Sequence, residues 1–192
     1  MIVSLEKNAL SATLQESLLG SQIDGIRDDP NRGRRARTPS GVELDEDGDL
    51  RVLILRGEGK SFCSGADLKD RPFDEGAKAT LARSKNGMKM ADAIANLSAV
   101  TIACLHNYCI GGGAVLPAFC DFRIAARSTS LTINEISIGV NLSWNAIPPV
   151  VQLVGPARAK EMIILGRTYD GTQLHEMGYV TDVVDDDDLL PA

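Results

Sequence analysis

Short apolar runs of strand length alternate along this chain with longer stretches whose apolar residues fall at helical spacing, and that alternation predicts its layout. Ile2–Leu5 has strand length, and Ser11 then stands as N-cap of a helix carrying Leu14, Leu18, Leu19 and Ile23, which Asp28, Asp29 and Pro30 end. Residues 52–55 form a continuous apolar run followed by Gly57 and Gly59, the pattern of a buried strand feeding a loop. Residues 76–97 place Ala79, Ala82, Met88, Ala91, Ile94 and Leu97 on a helical repeat, and Val100–Leu105 predicts a second buried strand closed by a left-handed turn at Asn107. After Gly111, Gly112 and Gly113, residues 114–119 predict a helix whose positive end lies at the glycines, with Pro117 tolerated in its first turn. Residues 122–125 and 131–133 predict further strands, and Gly155 and Pro156 divide two later helices over 147–153 and 157–165. Strand and helix alternate throughout, so the fold class is α/β.

Residues 31–50 break the pattern. Arg32, Arg34, Arg35 and Arg37 are followed by Glu43, Asp45, Glu46, Asp47 and Asp49 with no apolar periodicity, which predicts a charged, solvated insertion whose halves screen each other. The remainder reads as one domain spanning 1–192, since 192 residues at 44% hydrophobic composition can bury a substantial core. A net charge of -6 and a pI near 4.9 argue against general nucleic-acid affinity and for a small-molecule partner. Cys63, Cys104, Cys109 and Cys120 contain no Cys-x-x-Cys pair, and with only His106 and His175 beside them no metal site is predicted. They read as buried, reduced thiols. No stretch reaches membrane-spanning length and the apolar run at residues 2–5 is too short for a signal peptide, so the expected location is cytoplasmic.

Two loops carry the candidate chemistry. Ser61, Phe62, Cys63, Ser64, Gly65 and Ala66 follow one apolar strand run, and Gly111, Gly112 and Gly113 follow another. Small residues where a strand ends let backbone N–H groups face a ligand, which is how an anion hole is made. Alone, the three glycines read equally well as a tight strand-to-helix packing corner.

The ordered set of motifs resembles the crotonase superfamily, the enoyl-CoA hydratase/isomerase family. The resemblance is carried by Asn8, Ala9, Leu10 and Ser11; by the unbroken stretch from Gly57 to Leu68; by Thr101, Ile102 and Ala103 through the glycines to Cys120 and Asp121; by Asn134, Glu135, Ile136 and Gly139; and by Gly155 through Lys160. It implies a spiral of stacked, repeated ββα turns, with the C-terminal helical region truncated at Ala192. It further implies a coenzyme A thioester of fatty acid metabolism as substrate, no permanently bound cofactor, and assembly as a homotrimer or hexamer. The thioester oxygen is expected between the backbone amides of Ala66 and Gly112, with Ala66, Asp67, Leu68 and Lys69 along the thioester and pantetheine. Glu135 falls where the family places a catalytic glutamate, and with Ile133, Ile136 and Ile138 around it an apolar setting is expected to raise its pKa. The plainer reading of Glu135 is a helix-start carboxylate, and that of Asp67 a helix cap.

Departures from the family pattern sharpen the expectation. Hydratases of the family use a second glutamate two residues past the last glycine, where this chain has Val115. Valine neither orients water nor transfers a proton. A single carboxylate resembles instead the enoyl-CoA isomerases, in which one group shuttles a proton between two carbons, so isomerisation is favoured over hydration, and a non-catalytic acyl-CoA-binding paralogue is the remaining alternative. Ser143 stands where some members carry an aspartate for diene isomerisation or thioester hydrolysis, and Trp144 reads equally as pocket wall or core.

Overall fold

The computed structural model describes residues 2–5, 52–57, 59–65, 76–97 and 99–189. The predicted helix after Ser11, the charged insertion at 31–50 and the site residues Ala66, Asp67, Leu68 and Lys69 lie outside the described residues. Within them, β1 (Ile2–Leu5), β2 (Val52–Gly57), β3 (Val100–Leu105), β5 (Phe122–Ala126) and β8 (Asp182–Val184) form a five-stranded sheet in the order β1-β2-β3-β5-β8. Every pairing in it is parallel. A second sheet joins β4 (Tyr108–Ile110), β6 (Ser130–Thr132) and β7 (Thr168–Asp170), with β4 and β6 parallel and β7 antiparallel to β6.

The connectivity is a spiral. The chain runs along β3 in the first sheet, turns at His106 and Asn107, and runs along β4 in the second; it does the same from β5 into β6. The turn before is built likewise, since β2 leads to Cys63, which bridges Cys109 of β4 in parallel. The repeated ββα layout expected from the sequence is therefore the observed one. Asn107 makes its corner at φ +47°, as its tolerance of the left-handed region allows, and its side chain donates to the Lys60 carbonyl of the preceding turn.

Between strands come the helices α1 (Ala77–Ala95), α2 (Gly112–Val115), α3 (Ile147–Ile164) and α4 (Gly171–Glu176). Leu53 and Leu55 of β2, Ala103 and Leu105 of β3 and Ala125 of β5 point inward to Met90 and Ile94 of α1 and to Val115 and Leu116. Alternate residues of β2 are buried, the period a pleated strand imposes on one covered face.

Three expectations are corrected. Residues 114–119 do not form one helix after the glycines; α2 begins at Gly112 and passes into a 3-10 helix over Leu116–Phe119. Pro117 is the reason, because without an N–H it cannot continue the α pattern. The predicted strand at 131–133 is β6, one residue earlier, set by pairing Cys109 with Leu131. Ile136 and Ile138 do not enclose Glu135: both are exposed, and only Ile133 is buried. The expected division of the later helix holds, with Gly155 at φ +75° interrupting α3. Three-residue elements such as β4 and β7 were not legible as strands, being too short for a period to register.

Candidate functional site

Because the spiral turns are in register, the segments leaving Cys63, Cys109 and Leu131 come together at the carboxyl ends of adjacent parallel strands, where open α/β sheets gather ligand-facing groups. Counting three residues on from each gives Ala66, Gly112 and Asn134, with Glu135 next. Thus the two loops picked out in the sequence and the glutamate follow equivalent strand ends on successive turns. Ala66 is outside the described residues, which on this loop end at Gly65.

The packing between turns is close enough to require glycine. A Cβ on Gly65 would stand 2.8 Å from the Ile110 carbonyl oxygen, and one on Gly113 would lie 2.7 Å from the Cys63 Cβ and collide with the Cys63 carbonyl. Gly111 is held at φ +55° by donating its N–H to the Thr132 carbonyl at 2.9 Å. A Cβ there would be 3.1 Å from Glu135 Oε1 and 3.1 Å from Asn134 Oδ1. The Glu135 carboxyl group and the Asn134 carboxamide therefore both lie over the peptide that precedes Gly112.

The Gly112 amide is the first of α2, and the first amides of a helix have no acceptor within it. Two later amides of the same turn are committed: Ala114 donates to the Gly111 carbonyl at 2.8 Å and Val115 to the same carbonyl at 3.2 Å. The Gly112 amide thus opens the helix, one residue on from the glycine against which the Glu135 carboxyl lies. Val115, in contrast, faces the core and is 1% exposed.

Glu135 opens a 3-10 helix over Glu135–Ile138, with Asn134 before it and Gly139 closing it at φ +73°. This is the helix-start position of the plainer reading, and the carboxyl group also borders the glycine turn. Trp144 is buried in the core, its indole filling the space that a side chain at Gly87 of α1 would need. His106 contacts the Gly59 carbonyl at 3.2 Å, and His175 sits in the last turn of α4. All four cysteines are buried; burial pushes the Cys120 thiol up to about 12 and raises Cys104 and Cys109 as well. Among the described residues no three His, Cys, Asp or Glu side chains gather as a metal site, and no helix is long and apolar enough to cross a membrane.

Sequence reasoning missed Asn134, Arg123 and Tyr179. Asn134 could have been found by carrying the three-residue count to the third turn. Arg123 and Tyr179 could not, since they are 56 residues apart in sequence and meet only through the sheet, where Arg123 Nε donates to the Tyr179 carbonyl at 2.7 Å.

Comparison with known proteins agrees with this geometry. Residues 42–192 match the family model described as enoyl-CoA hydratase/isomerase. The chain is 34% identical over 155 residues to a Mycobacterium tuberculosis protein named "Probable enoyl-CoA hydratase echA8", a match covering 80% of this chain and 58% of that protein. It is 31% identical over 151 residues to the peroxisomal Delta(3,5)-Delta(2,4)-dienoyl-CoA isomerase of Arabidopsis thaliana, covering 73% of this chain and 54% of that one. Among solved structures, enoyl-CoA hydratase from Bacillus anthracis superposes with a TM-score of 0.80 at 29% identity, over 98% of this chain and 68% of that chain. The chain therefore spans little more than half the length of the curated relatives it matches. With a spiral of ββα turns that brings a glycine turn beside a glutamate, and a family model matched over residues 42–192, this chain belongs to the enoyl-CoA hydratase/isomerase family.

Proposed function

We propose that this chain acts on an enoyl-CoA thioester, moving its double bond between the 3 and 2 positions, with Glu135 as the proton carrier and the Ala66 and Gly112 amides binding the thioester oxygen. The observation that carries the reading is the placement of the Glu135 carboxyl against Gly111, the residue before the Gly112 amide, while Val115 is turned into the core. The Glu135 carboxylate takes a proton from C2 of a 3-enoyl thioester. The electron pair spreads through the C3–C4 double bond and onto the thioester oxygen, forming a dienolate that the two amides stabilise. Glu135, now protonated, returns that proton to C4, and the 2-enoyl thioester results. One carboxylate suffices, and no water is consumed.

Hydration is the second reading, favoured by the hydratase names of relatives such as the mycobacterial protein. It needs a group to orient water, and Asn134 beside Glu135 offers a carboxamide for that, though not a second proton carrier. Incubation with 3-enoyl and 2-enoyl thioesters separates the readings. Appearance of the conjugated 2-enoyl absorbance from the 3-enoyl substrate is expected. Rapid loss of that absorbance from the 2-enoyl substrate would overturn the ordering, and calorimetric binding of acetyl-CoA with no turnover of either would leave a binding paralogue.

A further inference from the structure

The backbone after Gly112 has an unmet need of its own. A continuing α-helix would have Ala118 donate to the Ala114 carbonyl, but over Leu116–Phe119 the chain is a 3-10 helix, whose i to i+3 pattern turns the Ala118 N–H to Val115 instead. Pro117, which has no N–H, is what stops the α pattern at this point. Ala114 is fully buried, so water does not reach its carbonyl, and an unpaired buried carbonyl is costly. The Tyr179 hydroxyl supplies the missing donor, reaching the Ala114 carbonyl from 65 residues away in sequence.

Tyr179 is itself pinned. Its N–H donates to the Leu174 carbonyl at the end of α4 at 2.8 Å, and its carbonyl accepts from Arg123 Nε at 2.7 Å. The Arg123 guanidinium, buried in the core, also donates to the Cys120 carbonyl at 2.6 Å and the Pro117 carbonyl at 3.3 Å. A cation held by the carbonyls that end this short helical segment opposes their partial negative charge. The hydroxyl keeps its proton, since burial raises the Tyr179 pKa.

A four-residue helix does not hold its own direction in water, because its few hydrogen bonds do not offset the ordering of its backbone. We propose that Tyr179, seated by Arg123, is a positioning residue that sets the direction of the Gly112 amide by holding the Ala114 carbonyl two residues further on. This rests on the reading of Gly112 as a thioester-oxygen donor. Tyr179 touches no substrate in that arrangement; it acts through the turn.

The test uses a saturated acyl-CoA labelled with carbon-13 at the thioester carbonyl and read by difference infrared spectroscopy on this chain. Binding is expected to shift the carbonyl stretch to lower frequency, and Tyr179→Phe is expected to reduce that shift while leaving ligand affinity within about twofold. In turnover of a 3-enoyl thioester, Tyr179→Phe should lower kcat roughly tenfold, less than outright loss of a donor, with KM little changed. Adding Pro117→Ala to Tyr179→Phe lets the α pattern run on, which brings the Ala118 N–H to the Ala114 carbonyl and should restore the shift, a rescue that mere loss of packing does not predict. Should Tyr179→Phe alone fail to fold, the double variant carries the test, and a folded double variant with a reduced shift overturns the proposal. A wild-type shift reproduced in folded Tyr179→Phe overturns it too, leaving the functional reading intact. Absence of any shift in the wild type overturns the functional reading, and this proposal with it.

Discussion

The turn at residues 111–115 and the turn at Glu135–Ile138 meet at one carboxyl group, yet they are held in opposite ways. Every residue of the first is buried, its Ala114 carbonyl is captured by the Tyr179 hydroxyl from 65 residues away, and its glycines touch the neighbouring turn. The second buries none of its four residues and is closed by local bonds, Ser137 to Asn134 at 3.0 Å and Val140 to Glu135 at 3.0 Å. A backbone amide can stabilise developing charge only if it is already aimed, and its direction is set by packing. A proton carrier can tolerate a more open turn, because its side chain reaches the reacting carbons through rotatable bonds. The rigid turn is thus expected to govern stability, and the open one chemistry alone.

Glu135→Gln is the largest break of that comparison. Isomerase turnover should fall on the order of 10²–10⁴-fold, the usual worth of a positioned acid–base group, while the thermal midpoint stays put. A large loss of stability in that variant would show that the open turn is structural after all. Next comes Val115→Glu, which adds the second carboxylate of the hydratases. Because Val115 is 1% exposed among apolar neighbours, unfolding in urea should reveal a loss on the order of 3 kcal/mol with no gain of hydration. Gly113→Ala, which drives a Cβ into the Cys63 carbonyl, should cost about 1–3 kcal/mol by the same measurement.

Alkaline titration sharpens the contrast further. The Cys120 thiol is raised from 9.0 to about 12, by burial first, with Arg123 opposing. A raised folded-state value means that its contribution is fully present below pH 9 and is lost as pH rises from 9 towards 12, as the unfolded thiol ionises and the folded one does not. Denaturation midpoints should be level up to pH 9 and fall above it. The smallest effect is expected of Ile136→Ser: at 54% exposure it should change stability by no more than about 0.5 kcal/mol.

The value of the sequence differed from element to element. Val100–Leu105 was legible because six successive strand-favouring or apolar residues leave no other period, and α1 because its repeat runs over five turns. Short strands such as Tyr108–Ile110 were not, since three residues carry no period and gain their pairing from Cys63 on the turn before and Leu131 on the turn after. The exposure of Ile136 and Ile138 was likewise hidden, because composition around Glu135 gives no direction for the side chains.

By itself the sequence determined the spacing of small residues, the single glutamate and the valine in place of a second one, and those are local facts of identity and order. Only the tertiary structure decided that the loops stand in register, that Asn134 falls on the third equivalent position, and that Tyr179 supplies the donor to the Ala114 carbonyl. The reason is that register comes from hydrogen bonds between strands far apart in sequence, and an orphaned carbonyl is satisfied by whatever donor the folded chain brings to it.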